Sequence, residues 1–195
     1  LKHEEKPTVA FSPDADFPVI HGEMGIVVFD LEMIFEEILP DGGIEIHELK
    51  GGNAPNMVPD YAVAKLVETT PIKDIVDAFN TTRAANIEYT KDGAFTVLKS
   101  HGVSAHGSTP SKGLNAISQL ITLLDLIDIQ IGDQSNFVRF LAKYIGMDYD
   151  GKKLGVGFDD AYNDLVLNLG MIDMDQTKGK VTINVRYPIT LKAKG

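Results

Sequence analysis

The apolar and polar positions change period several times along the chain, and each change marks an element. Residues 25–35, Gly-Ile-Val-Val-Phe-Asp-Leu-Glu-Met-Ile-Phe, are rich in strand formers. Asp41-Gly42-Gly43 is a turn signal, and residues 44–49 (Ile-Glu-Ile-His-Glu-Leu) alternate at period two, so these two runs are expected to pair as a hairpin. A glycine-rich polar loop, residues 51–60, leads into a third alternating run at 62–67. Thr70-Pro71 reads as a helix start, with Thr as N-cap and Pro in the first helical position. That helix is expected to reach about residue 86 and to bury Ile72, Ile75, Val76 and Phe79. Residues 87–90 and 94–100 form a second expected hairpin across Lys91-Asp92-Gly93. Thr109-Pro110 repeats the helix start before a helix to about residue 127, with Ile117, Leu120, Ile121, Leu124 and Ile127 on one stripe. Residues 136–145 form another helix, and 165–172 and 181–187 the closing strands.

The resulting order, β-β-β-α-β-β-α-α-β-β, predicts an α+β fold. Strand pairs alternating with covering helices make a two-layer sandwich, its sheet largely antiparallel and its helices on one face. The recurring Thr-Pro starts hint at two similar halves. Residues 1–23 hold three prolines and no amphipathic period, so they read as an extended connector.

Composition narrows the class without changing this picture. With 195 residues, 44% apolar and 24% charged, the chain is neither a disordered tail, a collagen-like polymer nor a disulfide scaffold. It has no cysteine, which excludes thiolate metal sites and thiol nucleophiles and leaves the redox compartment open. No apolar run approaches the ~18 residues that cross a bilayer, and no signal peptide is visible, so a cytoplasmic location without a membrane partner is expected. A net charge of −10 repels phosphate backbones and argues against nucleic acid as a partner. The chain starts at Leu1 inside a charged stretch, as a piece of a longer protein would.

Five histidines narrow the search for chemistry. His3, His21 and His47 read as exposed or locally satisfied polar residues. His101 and His106 are five apart, a spacing that suits one face of neither a helix nor a strand, so they do not suggest a metal pair. His106 reads locally as a loop histidine, but Gly107 and Ser108 permit close backbone approach and a helix start follows. Asn56 reads either as a residue that satisfies its own loop or as a ligand contact. Arg186, between Val185 and Tyr187, reads either as half of a surface ion pair or as a planar fork for a carboxylate. Asp14 and Asp16 flank Ala15 in a proline-kinked stretch, but two carboxylates alone do not make a metal site. Asp159-Asp160 reads as a solvated turn. No Ser-His-Asp or G-x-S-x-G arrangement is present.

Five segments taken in order carry a resemblance. They are Pro13-Asp-Ala-Asp-Phe-Pro-Val-Ile with Gly22-Glu-Met-Gly, Asn56-Met-Val-Pro-Asp, Gly102-Val-Ser-Ala-His-Gly-Ser-Thr-Pro with Gly113-Leu-Asn-Ala-Ile, Phe140-Leu-Ala-Lys-Tyr-Ile-Gly with Asp150-Gly-Lys-Lys-Leu-Gly, and Asn184-Val-Arg-Tyr-Pro. Together they resemble the zinc-dependent dipeptidases of the peptidase V type, within the aminoacylase, carboxypeptidase and desuccinylase group. That resemblance implies a catalytic α/β domain interrupted by a lid. This chain then corresponds to a lead-in at 1–23 and a lid at 24–195, built of two ferredoxin-like halves at about 24–105 and 106–195. It further implies that Asp14, rather than Asp16, is a zinc ligand and that His106 reaches the scissile carbonyl. Asn56 and Arg186 would hold the C-terminal carboxylate of a dipeptide substrate.

The family's upstream His-x-Asp, bridging Asp and Glu-Glu would precede Leu1, and its last histidine ligand would follow Gly195. The whole enzyme is therefore expected to use two zinc ions, while this chain alone binds none and is inactive without its catalytic domain. A fused lid of this kind imitates a dimer internally, so a monomeric whole enzyme is expected. Met24 stands where the family usually has lysine. The rival reading is a non-catalytic ferredoxin-like module that binds a small carboxylate or dimerises. It accounts for Asn56 and Arg186 but not for the Pro-Asp-Ala motif.

Overall fold

A computed structural model of the protein describes residues 22–36 and 42–192. The strands are β1 (Gly25–Ile34), β2 (Glu45–Gly51), β3 (Tyr61–Val67), β4 (Ile87–Asp92), β5 (Phe95–His101), β6 (Val166–Met174) and β7 (Lys178–Tyr187). The helices are α1 (Lys73–Arg83), α2 (Ala116–Leu124) and α3 (Asp133–Tyr144). Their order along the chain is the one the periodicity predicts. Among the described residues the strands form one sheet in the order β1-β7-β6-β2-β3-β5-β4, antiparallel at every step. The fold is thus an α+β two-layer sandwich. No helix among the described residues is long and apolar enough to cross a membrane.

The core lies between the helices and the inner face of the sheet. Ala62, Ala64 and Leu66 of β3 stand opposite Ser100, Leu98 and Thr96 of β5, all fully buried. The two alanines leave room for α2, whose Ile117, Leu120, Ile121, Leu123 and Leu124 are fully buried. The predicted stripe from Ile117 to Ile127 is thereby in the core, with Ile127 only 5% exposed. At the β1 end, Phe35 packs edge-on against Phe137 of α3 at a centroid distance of 5.9 Å.

Several local expectations are corrected. β1 and β2 do not pair as a hairpin. β1 is an edge strand held to β7 through ten residue pairs, whereas β2 lies between β3 and β6. Burial follows the placement: Ile46 and Leu49 of the central strand are fully buried, while Ile26, Val27, Val28 and Ile34 of β1 are exposed. The hairpin of β4 and β5, by contrast, forms as expected, with Asp92 opposite Phe95.

Neither Thr-Pro pair starts an α-helix. α1 begins after Ile72, which anchors the core at 1% exposure while its carbonyl accepts from Val76 N–H at 3.0 Å. It ends at Ala84 in a left-handed conformation (φ 51°), and Ile75 faces outward. Pro110 opens only a three-residue 3-10 turn. Leu114 then pairs in both directions with Val103, which keeps the chain extended until Asn115 caps α2 by accepting from Ser118 N–H at 3.0 Å. α3 begins at Asp133, earlier than expected, and α2 ends at Leu124, also earlier.

Two bulges interrupt the central strands, between Ile46 and Glu48 in β2 and between Leu169 and Met171 in β6. Each would leave a buried carbonyl outside the ladder. A buried amide side chain supplies the donor in both cases. Gln134 Nε2 donates to Ile46 O and to Asp175 O, both at 2.9 Å, and Asn115 Nδ2 donates to Leu169 O at 2.8 Å. Replacing Gln134 by Met keeps the length of the side chain but leaves the buried Ile46 carbonyl unsatisfied. At about 1–3 kcal/mol for one stranded group, Gln134→Met should cost about 1–3 kcal/mol and lower Tm by roughly 2–12 °C. Thermal denaturation followed by circular dichroism checks this, and an unchanged Tm would show that the amide is dispensable.

Candidate functional site

Two loops that follow strands or precede them lie side by side. Residues 52–60 lead into β3 and residues 102–115 leave β5. Because β3 and β5 are neighbours, the loops continue their ladder beyond the strand ends. Gly102 N–H donates to Asp60 O at 2.8 Å, Val58 N–H to Ala105 O at 2.8 Å, and Gly107 N–H to Asn56 O at 2.7 Å. Met57 and His106 form an isolated antiparallel bridge. Asn56 and His106, which are 50 positions apart in sequence, are thereby held on adjoining backbone. Gly107 is required for this approach, since a Cβ there would stand 2.9 Å from Asn56 O. The expectation that Gly107 admits close backbone contact is met. The helix start expected just beyond it is replaced by the 3-10 turn.

His106 is exposed, but its ring is oriented locally. Ser108 N–H donates to His106 Nδ1 at 3.3 Å, and Ser108 Oγ lies 2.6 Å from the same nitrogen. A nitrogen that accepts a backbone N–H carries the lone pair, so this geometry assigns the proton of the neutral ring to Nε2, with Ser108 Oγ–H as the second donor to Nδ1. His106 therefore presents an N–H donor away from its own loop. The side chain of Asn56 is exposed and makes no hydrogen bond to the described residues.

The third residue, Arg186, lies on β7, between Ile26 of β1 and Val166 of β6 in the cross-strand register. Both neighbours are apolar, and among the described residues no carboxylate pairs with its guanidinium. The ion pair open to it on sequence grounds is absent from this set. Its Nε is buried without a partner among the described residues. Two residues along the same face stands Asn184, 2% exposed, directly opposite Asn168 of β6, 1% exposed. Asn168 Nδ2 donates to Pro55 O at 3.0 Å and to Met57 O at 2.9 Å, on either side of Asn56. The loop pair is thus tied to the outer face of β6 and β7, where Arg186 also stands.

Further along this face, a cleft of about 340 Å³ is lined by Lys50, Gly51, Gly52, Met171, Lys180 and Thr182 among others. Asp30 at its side accepts from Thr182 Oγ1 at 2.6 Å and pairs with Lys180 at 2.7 Å. The hydrogen bond from Lys180, then that from Thr182, holds the Asp30 carboxyl below its usual range. That carboxylate is already committed and does not compete for Arg186.

Asn56 and His106 are therefore brought together, and Arg186 stands on the same sheet face, two residues along β7 from Asn184. Asp14 and Asp16 lie outside the described residues, and so does His21. Among the described residues no group of three or more His, Asp or Glu side chains is arranged to hold a metal ion. His101 lies apart from His106, with its Nε2 3.2 Å from Glu88 Oε1 and its ring edge-on to Tyr61. Asp160 accepts from Tyr162 N–H and Asn163 N–H, as a turn residue does. Sequence reasoning missed Asn168. Its signal is an amide within the otherwise apolar run Leu165-Val-Leu-Asn-Leu, a residue type that strands disfavour and interiors exclude unless it is bonded.

No family model matches this chain. It is similar to a Staphylococcus epidermidis (strain ATCC 12228 / FDA PCI 1200) protein named "Putative dipeptidase", with 36% identity over 196 residues, covering 96% of this chain and 41% of the relative. Proteins under the same description from Staphylococcus aureus strains bovine RF122 / ET3-1 and USA300 are also 36% identical, over 194 and 196 residues, with the same shares covered. The chain spans about 41% of the length of these curated relatives. Over nearly all of its own length it is related in sequence to proteins that carry the name "Putative dipeptidase".

Proposed function

We propose that this chain is the lid of a longer two-zinc dipeptidase, preceded by a lead-in at residues 1–23, and that it binds the substrate's C-terminal carboxylate and stabilises the oxyanion. The observation that carries this reading is the tie Asn168 makes between the Asn56 and His106 loops and the sheet face on which Arg186 stands. The relatives described as dipeptidases support it. So does a guanidinium that no described carboxylate neutralises.

The roles follow from charge. A terminal carboxylate is planar and carries full charge throughout the reaction, which suits the Arg186 fork together with the Asn56 amide. The oxygen of the scissile carbonyl gains charge only on the way to the tetrahedral intermediate. A neutral donor held in place, His106 Nε2–H with Ser108 fixing the other nitrogen, meets that need without reorganisation. Measuring a free C-terminus against a fixed oxyanion donor restricts the substrate to short peptides, and it requires the lid to close over a water-poor cleft.

The described residues do not form a zinc site. In this reading Asp14 contributes one ligand and the others come from outside the chain, as does the group that attacks the peptide bond. The metal's part is to activate water and polarise the carbonyl. The two ferredoxin-like halves remain part of the proposal, with β1 crossing over to β7 at the far edge of the sheet.

Two outcomes test this reading. After dialysis at neutral pH, the 195-residue chain should retain well under one zinc ion, because one or two carboxylates cannot supply the three or four ligands zinc requires. Metal analysis showing close to one or two ions per chain would overturn the assignment of ligands. In the longer protein, His106→Ala should lower kcat by roughly two to three orders of magnitude with little change in KM. Arg186→Lys should mainly raise KM, since a point charge lacks the bidentate fork, and a dipeptide amide should be a poor substrate of the unmodified enzyme. Steady-state kinetics on a free dipeptide and its amide read both effects. Intact turnover in His106→Ala or equal cleavage of the amide would overturn the assigned roles, and a longer protein without dipeptidase activity would favour the non-catalytic carboxylate-binding module.

A further inference from the structure

The geometry points to Asn168 as a positioning residue that fixes the Asn56 and His106 loops relative to the Arg186 strand, so that the three groups keep one spacing. This rests on the dipeptidase reading for its functional consequence, although the mechanical tie stands without it.

Three observations carry the inference. First, one amide group spans the joint: Nδ2 uses both of its protons, on Pro55 O and Met57 O, residues more than 110 positions earlier in the chain. Clamping the carbonyls on both sides of Asn56 sets the direction of its side chain. Because Met57 bridges to His106 and Asn56 O accepts from Gly107, the clamp extends to the histidine loop. Second, the backbone beneath is shaped for close approach. A Cβ on Gly170 would lie 2.6 Å from Pro55, and one on Gly52 would lie 1.9 Å from Gly170 O. Third, core packing does not account for the polarity here. Asn168 Oδ1, Asn184 Oδ1 opposite it and Arg186 Nε are all buried without a partner among the described residues. Burying such groups is unfavourable, and a purely structural strand pair under a loop would carry apolar side chains. Asn168 thus acts through the Asn56 and His106 loops, which it fixes against the strand next to the one that carries Arg186, and need not touch the substrate.

Amide hydrogen exchange on the 195-residue protein tests the tie directly. In the unmodified protein the Asn168 side-chain amide protons should be protected. Asn168→Ala should speed exchange at Gly107 and Val58 N–H at least tenfold, while Ala64 and Leu98 in the β3–β5 ladder change less than twofold. Asn168→Asp, which keeps the shape but not the donors, gives the same reading if the alanine variant does not fold. Unprotected Asn168 protons, unchanged exchange at Gly107 and Val58, or an equal rise at all four backbone amides would overturn the inference.

In the longer protein, Asn168→Ala should reduce the preference for a free dipeptide over its amide, taken as a ratio of kcat/KM values, by about tenfold. Gln134→Met, which weakens the core elsewhere, should leave that ratio unchanged. A ratio unmoved by Asn168→Ala would reduce Asn168 to a purely structural clamp and overturn the positioning role. If the longer protein cleaves no dipeptide, the dipeptidase reading fails and the exchange result alone decides the tie.

Discussion

A buried carbonyl must find a donor, and the architecture of this protein follows from how that need is met where the sheet is irregular. Bulges in β2 and β6 and the loops that cross the outer face would strand several carbonyls. Buried amide side chains reach each of them: Gln134 to Ile46 and Asp175, Asn115 to Leu169, and Asn168 to Pro55 and Met57. Gln119 does the same between the start of β4 and the end of β5, accepting from Asn86 N–H and donating to His101 O. An amide can serve this purpose because it donates without carrying charge, so its burial costs far less than that of a lysine or arginine.

The consequence for function is a pair of loops held in position while their polar side chains stay exposed. Backbone hydrogen bonds between residues 56–58 and 105–107 are short and close together, and glycine permits the approach. A site on such loops is pre-organised by the strands beneath it, which is what an oxyanion donor or a carboxylate clamp requires. The cross-strand neighbours of Arg186 are apolar, and among the described residues no carboxylate pairs with its guanidinium, which is what the proposed carboxylate contact requires.

The element order and the burial of the α2 stripe were legible because both depend on periods within a short window. Strand pairing was not. The Asp41-Gly42-Gly43 turn signal is local, whereas β1 pairs with residues of β7 more than 140 positions later in the chain. Thr70-Pro71 and Thr109-Pro110 misled for a related reason, because Ile72 and Leu114 are held by tertiary contacts that a cap cannot outweigh. Asn56, His106 and Arg186 stood out through the family motifs and not through spacing, since each taken alone had an ordinary local reading. Asn168 could have been found from its residue type in an apolar strand, but its partners lie more than 110 positions away and no local pattern points to them.

The central claim is that Asn56 and Arg186 together hold a substrate carboxylate while His106 faces the scissile carbonyl. A crystal structure of the longer protein with a non-hydrolysable dipeptide analogue tests it most directly. The account predicts the terminal carboxylate within about 3 Å of the Arg186 guanidinium and the Asn56 amide, with His106 Nε2 nearest the carbonyl oxygen of the mimicked peptide bond. A carboxylate held by other residues, or a His106 ring turned away from the analogue in the closed form, would contradict it.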